Sequence, residues 1–136
     1  MAIIDPNKAV RAWLLATTAV TNLVGQNVSV GDLPDKFSCF NGDKGVVVFV
    51  RGGPSHPEIP LYLPSVQLTC WALKGPDAHA IYRACFAAMH GAQQVNLGTD
   101  GTVLMCLEEV PGQPITDPQT TWATVVAMFR LTMRAN

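Results

Sequence analysis

A chain of 136 residues is close to the commonest size of one domain and can bury roughly two-thirds of the surface its unfolded form exposes. Hydrophobic residues make up 49% and charged residues 14%, well under the usual quarter or so, which implies that part of the surface is covered by something other than water. Nine Lys and Arg, scattered singly from Lys8 to Arg134, are set against ten Asp and Glu; the net charge of -1 with no basic stripe argues against specific nucleic-acid binding.

The opening residues, Met1 to Pro6, show no basic segment followed by an apolar run and cleavage site, and no apolar stretch approaches bilayer-spanning length. Folding in a cytoplasm is expected. Pro6 predicts the start of a first helix with Asp5 as its cap, because proline tolerates the first helical position and a carboxylate accepts from amides left without partners. Val10, Trp13, Leu14, Thr17, Val20 and Val24 recur at helical spacing. The branched residues over 17–21 predict a break within the helix, and Gly25 ends it.

Residues 27–30 are a candidate short strand, and 31–44 a long loop pinned to the body by Phe37 and Phe40. Val46, Val47, Val48, Phe49 and Val50 form a β-prone run, expected as a central strand buried on both faces. Residues 51–64, with two glycines and four prolines, are expected to be irregular. Over 66–73 the pattern alternates, with Val66, Leu68, Cys70 and Ala72 on one face and Gln67, Thr69, Trp71 and Leu73 on the other.

A second helix is expected from Pro76 and Asp77 to just before Gly91, its narrow stripe of Ala80, Ile81, Ala84, Cys85, Ala88 and Met89 suited to lie close on a sheet. Residues 93–97 and 103–109 flank Asp100-Gly101 and predict a hairpin. A proline-rich connection over 111–118 leads to the last strand, 123–133. There Val125, Ala127, Phe129, Leu131 and Met133 face one way, and Thr124, Val126, Met128, Arg130 and Thr132 the other.

This order predicts an α+β fold: one two-layer domain over residues 1–136, a four- to five-stranded, mainly antiparallel sheet with two helices packed on one face. The uncovered face would carry Trp71, Leu73, Leu104, Cys106, Val126 and Met128, a larger apolar patch than a monomer normally shows to water. Self-association through this face or through an edge strand is therefore expected.

The familiar phosphate-loop, dinucleotide, zinc-helix and nucleophile-elbow motifs are absent from the sequence. Cys39, Cys70, Cys85 and Cys106 form no C-x-x-C pair, and the last three read as small buried hydrophobes. His79 and His90 read as solvated residues of the second helix. Ser55, His56 and Glu58 offer a nucleophile, a base and an acid, but neighbours in one loop rarely hold a triad's geometry. Glu108 and Glu109 fall on opposite faces of a strand, at a solvated strand end, and cannot converge on one atom. No catalytic residue, metal or cofactor is assigned.

The layout as a whole carries more information than any single piece. A helix ends in Asn22-Leu23-Val24-Gly25; Val30-Gly31-Asp32-Leu33-Pro34 follows; a valine strand runs into Arg51-Gly52-Gly53, and another strand reaches Trp71. Then come an alanine-rich helix closing at Met89-His90-Gly91, a hairpin, a proline turn at Asp117-Pro118 and a strand ending Phe129-Arg130-Leu131-Thr132-Met133-Arg134. Over nearly its whole length this resembles the tail terminator, or tail-completion, proteins of long-tailed, non-contractile bacteriophages.

The resemblance implies a non-enzymatic virion subunit at the head-proximal end of the tail, with no cofactor and no membrane partner. Its partners would be copies of itself in a six-membered ring, the tail tube protein and the head-completion connector, with DNA passing through the ring unbound. On this reading the loop Arg51, Gly52, Gly53, Pro54, Ser55, His56 and Pro57 is an interface candidate, as are residues 32–40, since long loops beside rigid strands commonly carry function. For the 51–57 loop, a surface excursion with no partner is the alternative. On the sheet face Trp71, Leu73, Leu104, Val126 and Met128 are the candidates. Two other readings stand beside this one: a different head-to-tail connector or stopper subunit, and a small ligand-binding or enzymatic α+β module with a cleft beside Trp71 and His56.

Overall fold

A computed structural model describes residues 4–52 and 61–136. Gly53, Pro54, Ser55, His56 and Pro57 of the expected interface loop, and Glu58, lie outside the described residues. Helix α1 (Pro6–Ala16) starts as expected, the Asp5 carboxylate accepting from the amides of Asn7 at 3.1 Å and Lys8 at 3.4 Å. At Thr17 the backbone turns extended (φ -91, ψ 107), and its hydroxyl donates to the Trp13 carbonyl at 2.9 Å. A new helix, α2 (Thr18–Val24), then runs to Gly25, whose φ of 63 suits glycine. The expected break thus divides the first helix into two, and with α3 (Gly75–Met89) the described residues hold three α-helices rather than two.

Among the described residues the sheet has seven strands, more than expected: β1 (Val28–Val30), β2 (Gly45–Gly52), β3 (Leu61–Tyr62), β4 (Ser65–Ala72), β5 (Gln93–Asn96), β6 (Thr102–Thr116) and β7 (Ala123–Arg134). Their order is β1-β2-β4-β7-β6-β5, with β3 also paired to β7. Among the described residues only β1 and β2 run parallel; the other pairs are antiparallel, as expected.

Two stretches read as irregular belong to the sheet. Arg51 and Gly52 extend β2, and Leu61 and Tyr62 pair with Arg134 and Met133. The supposed proline connection is likewise the second half of β6, which pairs with β7 as far as Thr116 opposite Ala123. The prolines fit because of where their nitrogens point. Leu131 donates its N–H toward Pro64, so alternate residues of β7 from Val125 to Leu131 turn their bonds toward β4, and Pro114, opposite Val125, needs no donor toward β7. Pro111 lies in an irregularity between Val110 and Gln113.

All three helices pack on one sheet face. Val10, Leu14 and Val20 from α1 and α2, and Ile81, Cys85 and Met89 from α3, form one buried cluster with Leu68, Cys70, Phe129, Leu131 and Met133. The four cysteines are buried free thiols. Cys106 was expected on the opposite face but lies in this core. A register shift between Val103 and Met105 flips the alternation, so that Cys106 opposes the inward Leu131. The valine run is also only partly double-faced: Val46, Val47 and Val48 are buried, whereas Phe49 is 47% exposed.

Candidate assembly surface

The cross-strand register defines what the helix-free face presents, because residues directly opposite share a face. One row runs Phe49, Gln67, Met128, Val110; the next runs Val47, Thr69, Val126, Gln113. Farther along, Leu107 opposes Arg130, Met105 opposes Thr132 and Ile115 opposes Thr124. Phe49, Leu107, Met105 and Ile115 are each between 42% and 50% exposed, so apolar carbon reaches water across most of the sheet's width. A polar group borders it, where Glu109 accepts from the Ser65 hydroxyl at 2.7 Å and pairs with the Arg130 guanidinium at 3.1 Å.

One corner of this face is covered by the chain itself. Trp122 meets Phe37, Phe40 and Trp71 edge-on at centroid distances of 6.0, 6.1 and 6.2 Å, and this cluster pins the 31–44 loop over the sheet. The expected pinning by Phe37 and Phe40 is therefore present. The indole N–H groups of Trp71 and Trp122 are buried without a hydrogen-bond partner among the described residues. Between the loop and the sheet remains a groove of about 280 Å³ lined by Asp32, Leu33, Val47, Phe49, Thr69 and Trp71.

The expected sheet-face residues therefore separate. Val126 and Met128 hold their places, half-buried on the open face. Trp71 is on that face but largely under Trp122. Leu73 lies beyond β4 in the turn to α3, lining a cavity of about 230 Å³ with Cys39, Phe40, Lys44, Lys74 and Asp77. Leu104 is the half-buried residue at the register shift. Of the expected loop, Arg51 and Gly52 are exposed at the end of β2, where Arg51 donates to the Gln67 side chain at 3.0 Å. Sequence reasoning missed Phe49, Met105, Leu107 and Ile115. Strict alternation would have found Phe49, which shares a face with Val47; the β6 residues follow irregularities that leave little mark in the sequence.

On the helix side, α3 reaches over β6. Tyr82 donates its hydroxyl to the Glu108 carboxylate, and the Glu108 amide donates to His90 Nδ1 at 3.0 Å. The His90 ring stacks on Phe86 at 4.6 Å. Burial, and then the bond to Glu108, raises the Tyr82 hydroxyl above its ordinary pKa, against a smaller opposing effect of the Gly112 N–H. His90 is thus not simply solvated. Glu108 and Glu109 do take opposite faces, but in mid-strand rather than at a solvated end. Among the described residues no three His, Cys, Asp or Glu side chains cluster to hold a metal, and no helix is long and apolar enough to cross a membrane.

No protein-family model and no curated protein matches the chain. Among solved structures it is similar to a chain of the virion of a native gene transfer agent particle, with a TM-score of 0.68 and 16% identity, covering 95% of this chain and 94% of that one. At that identity the likeness shows a shared fold over nearly the full length.

Proposed function

We propose that this chain is a structural virion protein of a tailed-phage-type particle, non-enzymatic, whose copies form a ring that caps the tail tube and meets the head connector, leaving a channel for DNA. The observation that carries the proposal is the near full-length fold likeness to a chain of a virion. The helix-free face supports it: a chain with 14% charged residues that leaves Phe49, Met105, Leu107 and Ile115 half in water has surface to spare for its own copies. Heterologous contacts between such copies close into a ring when the rotation permits. The lack of a basic stripe suits DNA transit better than DNA capture.

Native mass measurement of the purified protein, followed by electron microscopy with isolated tail tubes and DNA-filled heads, tests the proposal. A closed ring, expected to hold six copies, that binds tube ends and halts their growth is the expected result. A monomer at micromolar concentration that ignores tubes would refute it, and rings that bind heads before tubes would favour a connector or stopper subunit.

A further inference from the structure

Strand β6 is long, and among the described residues most of its outer edge has no neighbouring strand. Pairing with β5 ends at Met105 opposite Gln93. Just beyond, the Cys106 N–H donates to Ala92 at 3.1 Å and its carbonyl accepts from Gly91 at 2.7 Å. By alternation the next outward N–H is that of Glu108, and it meets the side chain of His90 rather than a strand. Pro111 and Pro114 carry no N–H at all. Between them Gly112 lies under Tyr82, so close that a Cβ would come within 2.8 Å of the ring. The hydroxyl of that same ring is tied to Glu108.

On the opposite edge several backbone groups are occupied by other means. On β1 the Val28 carbonyl accepts from Arg11 Nε at 2.7 Å, the Val28 N–H donates to Gln26 at 2.9 Å, and the Val30 carbonyl accepts from the Asp32 N–H at 3.0 Å. An open strand edge is a template for pairing with another chain, and proteins that must not polymerise blunt it.

We infer that α3 is an edge guard: His90 and Tyr82 occupy the side of β6 that a second copy would otherwise pair with, so that copies of this chain meet through the sheet face and not by extending the sheet. His90 is held in place for this by its stack on Phe86. The guard is independent of the virion role proposed above, since it concerns only how two copies are kept from joining edge to edge.

The test is the double variant His90→Phe, Tyr82→Phe, which keeps both rings but removes the acceptor at 90 and the hydroxyl at 82. Hydrogen exchange at the Glu108 amide should rise about tenfold or more. Assemblies larger than those of the wild type should grow with concentration and show the infrared signature of intermolecular β-pairing. His90→Gln with Tyr82 intact, whose amide oxygen can take the same N–H, should restore wild-type exchange. A folded double variant with unchanged exchange and unchanged assembly size would overturn the inference. If the double variant does not fold, the single variant His90→Phe, which leaves Tyr82 in place, is read in the same two ways. Faster exchange at the Glu108 amide with larger assemblies is the expected result, and wild-type exchange and assembly size in that folded variant would equally overturn the guard.

Discussion

Phe49 offers the sharpest test of the open face as a contact surface. Its side chain stands in the row Phe49, Gln67, Met128 and is 47% exposed, so removing it disturbs little of the helix-side core. A Phe side chain buries on the order of 200 Å², so docking against a second copy would cover roughly 100 Å² more. At about 25 cal/mol per Å² that is about 2 to 3 kcal/mol per contact, or about 30- to 150-fold in the pairwise dissociation constant. Phe49→Thr keeps a β-favouring side chain and removes the apolar area. Sedimentation velocity across a dilution series should show the assembly falling apart at correspondingly higher concentration, while the thermal midpoint of the dilute protein shifts little. Unchanged assembly in a variant of unchanged stability would refute the face as the contact.

Two further predictions concern the fold that carries this face. Gly112→Ala drives a methyl group into the Tyr82 ring and should destabilise the chain by about 1 to 3 kcal/mol in denaturant unfolding; in a Tyr82→Ala background the same change should have almost no effect, and an equal loss there would show that the ring is not the cause. Burial pushes the Cys106 thiol up to about 12 and, with Asp43 nearby, the Cys39 thiol up to about 11. The folded state therefore keeps protons that the unfolded state releases. Stability from these groups is complete below the ordinary thiol range near 9 and falls as pH rises toward 11 to 12, by up to about 1.4 kcal/mol per pH unit for each thiol. The urea midpoint should drop between pH 8 and pH 10.5 (both about), and less steeply in Cys106→Ala; an identical drop in that variant would exclude Cys106 as a source.

Much of the fold was legible because the deciding forces are local. Asp5 with Pro6, and the branched run after Ala16, act over one helical turn, so the start and the break of the first helix could be read from neighbours alone. The alternation of β4 and β7 was legible because one face of each is packed against helices throughout. What escaped is set by pairing partners far along the chain. Pro114 looks like a strand breaker until β7 is seen to bond β6 from the side where its missing donor does not matter, and Pro111 until it is seen to lie in the irregularity between Val110 and Gln113. Cys106 looks outward until the register shift after Val103 is known. The helix-free face was read in outline for the same reason: Val126 and Met128 lie on it, whereas Leu73 belongs to the turn between β4 and α3.

The division of the tryptophans between the two sides of the sheet gives the protein two separate optical reporters. Trp13 is buried among the helices, whereas Trp71 and Trp122 touch each other beneath the 31–44 loop on the far side. Quenching within that close pair depends on the loop staying down, whereas the lone indole packs among the helices on the other side of the sheet. Emission that changes in one population while the other holds steady would therefore distinguish a lifted loop from a melted core, in a protein whose loop borders the surface where its copies are proposed to meet.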